Sequence, residues 1–424
     1  MNLHDNEQAA PRKAVLAAVD MGEYDPDVSL DELEELAATL DIECVAHIVQ
    51  KRDKLDRASA IGVGKLHEIS LFCHNTGADL VIFDHELSAL QLRNIEEACE
   101  VDVIDRTMLI LEIFSRRASS AQGRLQVELA HSRYMLPRLS GMGTQLSRLG
   151  GGGGGAGAGA RRGKGETKLE LDRRHIRQRV RALEAQLEQL AGRKANLRSR
   201  RKKDDLLTVA VVGYTNVGKS TLLNTLTGAG VLAEDKLFAT LDPTARGLSL
   251  PDGRTVLLID TVGLVRRLPH HLVEAFRSTL EEAIYADLVL NVCDISSPQA
   301  GDQIQVARDL LEDLKLSDTP ILNVLNKADK LAEPLSVMGG HNALISAKTG
   351  EGLEDLLRKI TALLPQGSRR LKMLIPYEQG GLVAEIRKEG KVFSEEFVAQ
   401  GTLLDALVAQ KLINKAQGYV VDLK

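Results

Sequence analysis

The fold of this chain is decided by the stretch Gly213-Tyr214-Thr215-Asn216-Val217-Gly218-Lys219-Ser220. It matches the spacing G-x-x-x-x-G-K-[ST], follows an apolar run at 207–212 and precedes a helical pattern that starts at Thr221. In this context the glycines let backbone N–H groups surround phosphate oxygens, and the helix N-terminus favours negative charge. We therefore predict a phosphate-binding loop in which Lys219 reaches the terminal phosphates of a nucleotide and the Ser220 hydroxyl binds Mg²⁺.

A second motif, Asp260-Thr261-Val262-Gly263, closes an apolar run at 255–259. An acid at the end of a strand can hold Mg²⁺ through water, and the Gly263 amide can contact a γ-phosphate. Alone, this pattern is weak evidence, because it also fits an ordinary turn. Its position after the phosphate loop favours a role in the nucleotide site.

Two further motifs point to the base of the nucleotide. The first, Asn326-Lys327-Ala328-Asp329, ends the apolar run 321–325. The Asp329 carboxylate can accept N1–H and N2–H₂ of guanine, a donor pair that adenine lacks, while Asn326 braces the loop and the Lys327 stem covers the base. In the second, Ser346-Ala347-Lys348, a backbone amide can donate to guanine O6. Four motifs in this order predict a protein that binds GTP and GDP and hydrolyses GTP.

Hydrophobic periodicity places these motifs in an α/β protein with four segments. The predicted segments are an N-terminal α/β domain at 1–115, a basic antiparallel helical hairpin at 116–203, a P-loop GTPase domain with a mostly parallel sheet flanked by helices at 204–365, and a small α+β C-terminal domain at 366–424. In the last segment we expect strands near 371–375, 392–398 and 420–423 and a helix at 380–389.

The hairpin segment has an unusual charge and an unusual periodicity. Residues 116–203 contain 22 Lys and Arg against 6 Asp and Glu, a net of +16, whereas the rest of the chain sums to −21. Apolar residues recur in heptads, which predicts a coiled-coil seam; they are Leu169, Ile176, Leu183, Leu190 and Leu197, with Val180 and Leu187 between them. Glycine is concentrated before this seam, so we expect a flexible tip at 150–160.

Composition excludes several classes of protein. The chain has 424 residues, 44% hydrophobic and 27% charged, which is ordinary for globular protein and fits about three domains. Its apolar runs are shorter than the roughly 20 residues that a membrane-spanning helix needs, and the first 20 residues do not resemble a secretory signal. The four scattered cysteines indicate buried thiols in a reducing cytoplasm, without a disulfide or zinc framework.

The basic segment predicts contact with RNA phosphates. Residues 193–203 contain seven Lys and Arg and no acid, whereas the surface of a coiled coil normally intersperses both signs. Tyr134 is the sole aromatic residue of the segment, which disfavours capture of single strands by stacking. The alternative is a coiled-coil arm through which a regulatory GTPase switch docks on protein partners.

Several stretches together resemble the HflX family of ribosome-associated GTPases. They are 237–244 (LFATLDPT), 83–88 (FDHELS) with 103–107 (VIDRT), and 165–170 (GETKLE) with 172–174 (DRR). The resemblance implies a protein, monomeric when free, that binds the large ribosomal subunit and its rRNA and splits or rescues stalled ribosomes. It also implies that Thr240 is the switch threonine on Mg²⁺, with Thr244 as the competing candidate. The chain departs from the family pattern at Lys164, where a proline is usual.

The residue after the second motif bears on hydrolysis. Many GTPases have a glutamine there that orients water, but this chain has Leu264. We therefore predict slow intrinsic turnover that a partner accelerates. Asn216 resembles the residue that binds a monovalent cation in some bacterial GTPases, which suggests K⁺; the alternative is that Asn216 only shapes the loop.

Overall fold

The computed structural model describes most of the chain. The described residues are 11–139, 160–203, 206–228, 244–261, 263–267, 272, 284–313, 319–331, 341–365, 369–408 and 410–421. In the long helix 160–203, side chains are described for residues 170–192. They form two compact units. Unit 1 comprises Met1–Arg193, Glu234–Asp242 and Val265–Thr279, and unit 2 comprises Lys194–Ala233, Pro243–Leu264 and Leu280–Lys424. The boundaries of the four segments predicted from the sequence stay a prediction.

Unit 1 contains a four-stranded parallel sheet in the order β2-β1-β3-β4. Its strands are β1 (Lys13–Asp20), β2 (Glu43–Lys51), β3 (Leu80–Phe83) and β4 (Asp102–Asp105), and its helices are α1 (Pro26–Thr39), α2 (Val63–Thr76), α3 (Ala89–Cys99) and α4 (Arg106–Arg117). Strands alternate with helices, as a parallel sheet requires. The predicted N-terminal α/β fold is confirmed.

Local sequence signals explain where these helices begin. Asp25, Ser88 and Asp105 each accept a hydrogen bond from a backbone N–H of the first helical turn, and Ser88 forms a capping box with Gln91. On one face of the sheet Val15, Ala17 and Val19 of β1 pack in a cluster with residues of α2 and α3. The carboxyl ends of β3 and β4 lead into the stretches 83–88 and 103–107, so both stretches lie at one edge of the sheet.

Two long helices follow, α5 (Ala121–Arg138) and α6 (Ala160–Lys203). Along the described side chains of α6 the predicted heptad positions are less exposed than their neighbours, and Leu183 is fully buried. Arg133 pairs with Glu184, and Arg179 pairs with Glu128. These pairs do not establish whether α5 and α6 run parallel or antiparallel. The predicted tip at 150–159 lies outside the described residues. The antiparallel hairpin therefore stays a prediction.

Unit 2 contains a six-stranded sheet in the order β10-β9-β8-β5-β7-β6, parallel except for β6 at the edge. Its strands are β5 (Thr208–Gly213), β6 (Ala245–Ser249), β7 (Thr255–Asp260), β8 (Leu288–Asp294), β9 (Ile321–Asn326) and β10 (Asn342–Leu344), with helices α7 (Lys219–Thr227), α8 (Ala300–Asp313) and α9 (Leu353–Leu363). The predicted GTPase-type domain, a mostly parallel sheet flanked by helices, is confirmed.

The C-terminal segment is a small antiparallel sheet packed with helices, which confirms the α+β prediction. It comprises β11 (Arg369–Ile375), α10 (Gly380–Glu389), β12 (Lys391–Val398), β13 (Gly401–Val408) and α11 (Gln410–Ala416). The sheet order is β11-β13-β12. The strand predicted near 420–423 is wrong for the residues described there, because Val420 makes a single bridge to Met373. The third strand is β13, which the sequence analysis missed.

Nothing in the described part of the chain resembles a transmembrane helix, because no helix there is both long enough and apolar enough. Of the four cysteines, Cys73, Cys99 and Cys293 are buried as expected, whereas Cys44 is partly exposed.

Arg138 fixes the end of α5 to the edge of the N-terminal sheet. Its guanidinium donates to the Leu87 carbonyl at 2.8 Å and pairs with Glu86 at 3.0 Å and Asp105 at 3.2 Å. It also lies 3.5 Å from the centre of the Tyr134 ring. Both Arg138 and Asp105 are buried, so removing the cation leaves a buried carboxylate without its ion-pair partner.

We predict that Arg138→Met destabilises the N-terminal unit by about 3–5 kcal/mol, because one half of a buried ion pair is lost. Hydrogen exchange followed by mass spectrometry should show loss of protection in α5 before global unfolding. Arg12→Met is the matched control: Arg12 pairs with Asp79 and Asp102 at the surface and should cost about 0–1 kcal/mol. Equal protection of α5 in both variants would contradict the anchoring role.

Candidate functional site: a nucleotide pocket at the sheet edge

The four sequence motifs follow the carboxyl ends of four parallel strands. The phosphate loop follows β5, the Asp260 motif ends β7, the Asn326 motif ends β9, and Ser346 follows β10. Since β5, β7, β8, β9 and β10 run in the same direction, these ends meet at one edge of the sheet. This edge is where open α/β sheets bind ligands.

Backbone geometry explains the glycines of the phosphate loop. Gly213 and Gly218 have φ angles of +150° and +90°, which residues with a Cβ rarely adopt. A Cβ at Gly213 would collide with the carbonyl oxygen of Val292, and one at Gly218 would lie 2.5 Å from Nδ2 of Asn326. Asn216 also has a positive φ, +61°, and its side chain is exposed at the top of the loop. The loop therefore turns tightly beside the neighbouring strands.

Lys219 is buried at the first turn of α7 and reaches back into the loop. Its Nζ donates to the carbonyl oxygens of Gly213 at 3.0 Å and Tyr214 at 2.6 Å. Burial lowers the pKa of Lys219 to about 8, although the Asp260 carboxylate acts in the opposite direction. A group of this kind gains from an anionic ligand, because phosphate charge restores the preference for the ammonium form.

Ser220 and Asp260 lie side by side as hard oxygen donors. Ser220 Oγ donates to Asp260 Oδ2 at 3.3 Å, and the backbone N–H of Asp260 donates to the Thr244 carbonyl at 3.0 Å. A hydroxyl and a buried carboxylate at this spacing fit the ligands that Mg²⁺ prefers. Thr244 is exposed, and Thr240 lies outside the described residues, so the choice between them as switch threonine stays open.

The chain after Asp260 is hydrogen-bonded to the phosphate loop. Leu264 N–H donates to the Gly213 carbonyl at 3.0 Å, and Thr215 N–H donates to the Leu264 carbonyl at 2.9 Å. A Cβ at Gly263 would lie 2.6 Å from Cγ2 of Thr215 and 3.2 Å from Nζ of Lys219. The second motif therefore needs glycine for close approach to the loop.

The side chain of Leu264 is buried in the core of unit 2. A polar side chain at this position would therefore be buried as well and would not contact solvent. Replacing it with glutamine would bury an amide in an apolar cluster and disturb the core. Any test of the role of Leu264 in hydrolysis needs Leu264→Met, which conserves volume and polarity.

Asn326 connects two of the loops. Its Nδ2 donates to the Val217 carbonyl at 2.8 Å, and its Oδ1 accepts from the Ala347 N–H at 2.9 Å. The side chain is 3% exposed, so these bonds form away from water. Asn326 thus connects the phosphate loop to the loop after β10 through one buried side chain.

The residues assigned to base recognition lie beside Asn326. Asp329 is exposed and accepts a hydrogen bond from Ser346 Oγ at 2.6 Å, which lowers the pKa of its carboxyl and keeps it an acceptor. Lys327 adopts a left-handed φ of +64° and its Nζ pairs with Asp294 at 2.7 Å. Ala347 is buried and its carbonyl accepts from Thr225, while Lys348 is exposed.

The remaining predicted residues occupy the loop and the first turn of α7. Tyr214, Thr215 and Val217 are buried, whereas Thr221 is partly exposed. The structure thus brings together every predicted site residue that it describes, from Gly213 to Lys348. Their individual roles toward the nucleotide stay predictions.

Unit 1 contains a charged cluster that the sequence analysis missed. The buried Asp84 carboxylate accepts from Arg106 at 2.9 Å and also pairs with Arg267. Burial would raise the pKa of Asp84, but the two guanidinium groups outweigh it and hold that pKa below its usual value. Tyr24 and Ser29 donate their hydroxyl hydrogens to the same carboxylate.

This cluster fixes the segment of chain that begins two residues after Gly263. Arg267 stacks over the Tyr24 ring at 3.8 Å. The Arg266 N–H donates to Glu32 at 3.1 Å, and the Arg266 carbonyl accepts from Arg106 at 3.3 Å. The stretches 83–88 and 103–107 contain Asp84 and Arg106, so they could have indicated half of the cluster. Nothing in the sequence pairs Arg267 with either of them.

Three family models match the chain over this architecture. They are described as the GTP-binding GTPase N-terminal region at residues 27–115, the GTP-binding GTPase middle region at 117–201, and a 50S ribosome-binding GTPase at 208–327. The GTPase HflX of Caldanaerobacter subterraneus is 48% identical over 409 residues, covering 96% of this chain and 94% of that protein. The chain belongs to the HflX family of GTPases. It therefore binds GTP and GDP and hydrolyses GTP.

Further similarities extend the comparison. The GTPase HflX of Lacrimispora saccharolytica is 45% identical over 404 residues, covering 94% of each chain. A GTP-binding protein from Sulfolobus solfataricus, solved in complex with GDP, is 24% identical, covering 83% of this chain and 98% of that one with a TM-score of 0.45. The family assignment rests on the family models and the sequence relatives.

We predict that Asn326→Ala weakens GDP binding by about 10–100-fold, because two buried hydrogen-bonding groups lose their partner and the loops separate. Fluorescence titration with a labelled GDP measures this. Asn323→Ala is the matched control: Asn323 lies on the same strand, and its side chain bonds Asn291 and Asn342 on the neighbouring strands. Equal weakening by both variants would show that Asn326 matters only for stability of the sheet.

We predict that binding of GDP at pH 8 takes up about half a proton. Lys219, with its pKa near 8, is about half neutral at that pH, and phosphate charge restores its ammonium form. Calorimetry in buffers of different ionisation enthalpy measures the uptake. Lys219→Arg is the control, since a guanidinium stays charged and should take up none. Uptake that is absent in the parent, or equal in both proteins, would contradict this reading of Lys219.

Proposed function

We propose that this GTPase binds the large ribosomal subunit through its N-terminal domain and basic hairpin, and splits or rescues stalled ribosomes. In this proposal the ribosome stimulates GTP hydrolysis. The observation that carries it is the concentration of positive charge, a net of +16, in residues 116–203 of an otherwise acidic chain. The family model over residues 208–327, described as a 50S ribosome-binding GTPase, supports the same partner.

The described part of α6 supports contact with a polyanion. Arg174, Arg177 and Arg181 are exposed and, at this spacing, share one face of the helix. The protected residues Ile176, Val180 and Leu183 occupy a different face. The helix can therefore pack through its apolar stripe and still present a row of guanidinium groups to phosphates. The charge of the remainder, −21, would repel RNA elsewhere and so orient docking.

Within the GTP site we propose the following roles. Gly213–Thr221 bind the phosphates, Asn326, Lys327 and Asp329 with 346–348 recognise guanine, and Ser220, Thr240 and Asp260 hold Mg²⁺. Lys219 and Gly263 stabilise the charge that develops on the β- and γ-phosphates. The support for these roles is that the described residues among them follow the carboxyl ends of parallel strands at one sheet edge, and that the Ser220 hydroxyl pairs with Asp260.

Slow intrinsic turnover follows from the chemistry of the position after Gly263. Leu264 cannot orient water and its side chain is buried, so the attacking water needs another partner. We propose that the ribosome supplies that partner and that K⁺, bound near the exposed Asn216, offsets charge on the transferring phosphate. We also propose that the free protein is monomeric and cytoplasmic.

The experiment is GTP turnover with purified large subunits over a series of salt concentrations. We expect a rate that rises strongly with subunits and falls steeply with salt, because phosphate contacts release counterions. A variant with Arg198, Arg200 and Arg201 changed to Glu should lose most of the stimulation but keep its basal rate. Running the same assay in K⁺ and Na⁺ buffers tests the cation, and equal rates would count against it.

The matched control changes three exposed cations outside residues 116–203 to Glu. They are Arg358, Lys388 and Lys415. It has the same change in net charge, so it should retain stimulation if docking is local to the arm. No stimulation of the parent, or stimulation insensitive to salt and to the arm variant, would overturn the ribosomal proposal. Those outcomes would favour the alternative, a switch that acts on protein partners.

A further inference from the structure

Three side chains that commonly bind metals converge on the surface of unit 1, outside the GTP site. Glu34 lies on α1, and Cys44 and His47 lie on β2. One ligand atom from each lies within 4.8 Å of the other two. The Nε2 atom of His47 and an oxygen of Glu34 are already 2.9 Å apart.

An irregularity in β2 brings Cys44 and His47 to the same face. In a regular strand residues three apart point to opposite sides of the sheet. Here Ala14 pairs with Cys44, but Val15 pairs with Ala46, so Val45 is an extra residue. The pairing then places His47 opposite Leu16. A β-bulge of this kind re-aims the side chains that follow it.

The shared face is the one covered by α1. Val15, Ala17 and Val19 of β1 pack toward α2 and α3, so the alternate residues, Ala14 and Leu16, face the other side. Helix α1 packs against β1 and β2. Cys44 and His47 therefore point to the side on which α1 carries Glu34.

The chemistry of the three groups selects a particular class of ion. Thiolate, imidazole and carboxylate are the three protein ligands of Zn²⁺, whereas Mg²⁺ and Ca²⁺ prefer oxygen alone. The side chains of His47 and Glu34 are 31% and 49% exposed, so an ion can enter and solvent can supply a fourth ligand. Cys44 differs from Cys73, Cys99 and Cys293, which are buried.

We propose that Glu34, Cys44 and His47 bind one Zn²⁺, with solvent as the fourth ligand. The ion joins α1 to β2, the edge strand of the sheet. Because the ligands come from two elements that separate on unfolding, binding stabilises the folded N-terminal unit. The site is independent of GTP binding, since none of its residues contributes to the nucleotide pocket.

Titration of the chelator-treated full-length protein with Co²⁺, followed by Zn²⁺, tests the proposal. Thiolate coordination to Co²⁺ gives an intense near-ultraviolet charge-transfer band, which oxygen ligands in the GTP site do not give. We expect this band at one equivalent and its loss when Zn²⁺ displaces Co²⁺. Cys44→Ser should abolish the band. His47→Asn and Glu34→Gln should weaken Zn²⁺ binding by at least about tenfold, because changes around metal ligands alone cost about 10–100-fold.

One matched control lies on β2 and the other on α2, a helix on the opposite face of the sheet. Glu43→Gln removes an exposed carboxylate next to Cys44 but on the other face of β2, and His67→Asn removes an exposed histidine of α2. Both should bind as the parent does. Absence of the band in the parent, or its persistence in Cys44→Ser, would overturn the proposal. If Cys44→Ser does not fold, undiminished Zn²⁺ affinity in folded His47→Asn and Glu34→Gln would overturn it equally.

Discussion

The hydrogen bonds of the buried Asn326 side chain are the interaction on which the GTP site depends. One amide group bonds the phosphate loop through Val217 and the base-side loop through Ala347. Both loops lack regular structure, and loops of this kind vary in position unless side chains fix them. Because the amide is buried, water cannot replace either bond. Loss of a bond would therefore leave a buried polar group unsatisfied. The spacing between these two loops is thus set by one residue at the end of β9.

Arginine–carboxylate pairs play the corresponding part in the N-terminal unit. Arg138 binds the end of α5 to Asp105, and Arg106 and Arg267 share Asp84. Buried pairs of this kind contribute little net stability but are costly to break, so they define which segments stay attached to the sheet. The attached segments are the base of the basic arm and the chain that follows the Asp260 motif.

Sequence reasoning succeeded where chemistry demands residues at fixed spacing. The strands that precede the motifs, the phosphate loop and the parallel sheets were all predictable, since each motif must follow a strand and glycine is required at Gly213 and Gly218. It failed at β13, whose apolar run with Asp405 has no clear alternation because the central strand is buried on both faces. The pairing of Arg267 with Asp84 and the bulge at Val45 were also unpredictable, since both depend on contacts between residues far apart in sequence.

A nucleotide pocket and a strongly basic segment, residues 116–203, thus belong to one otherwise acidic chain. In the function proposed above, the GTP-bound protein separates ribosomal subunits. Light scattering of intact ribosomes mixed with the protein and a non-hydrolysable GTP analogue tests it most directly. We predict that scattering falls toward the value for free subunits with the analogue but stays high with GDP. Undiminished scattering with the analogue, at concentrations where the protein co-sediments with large subunits, would contradict it.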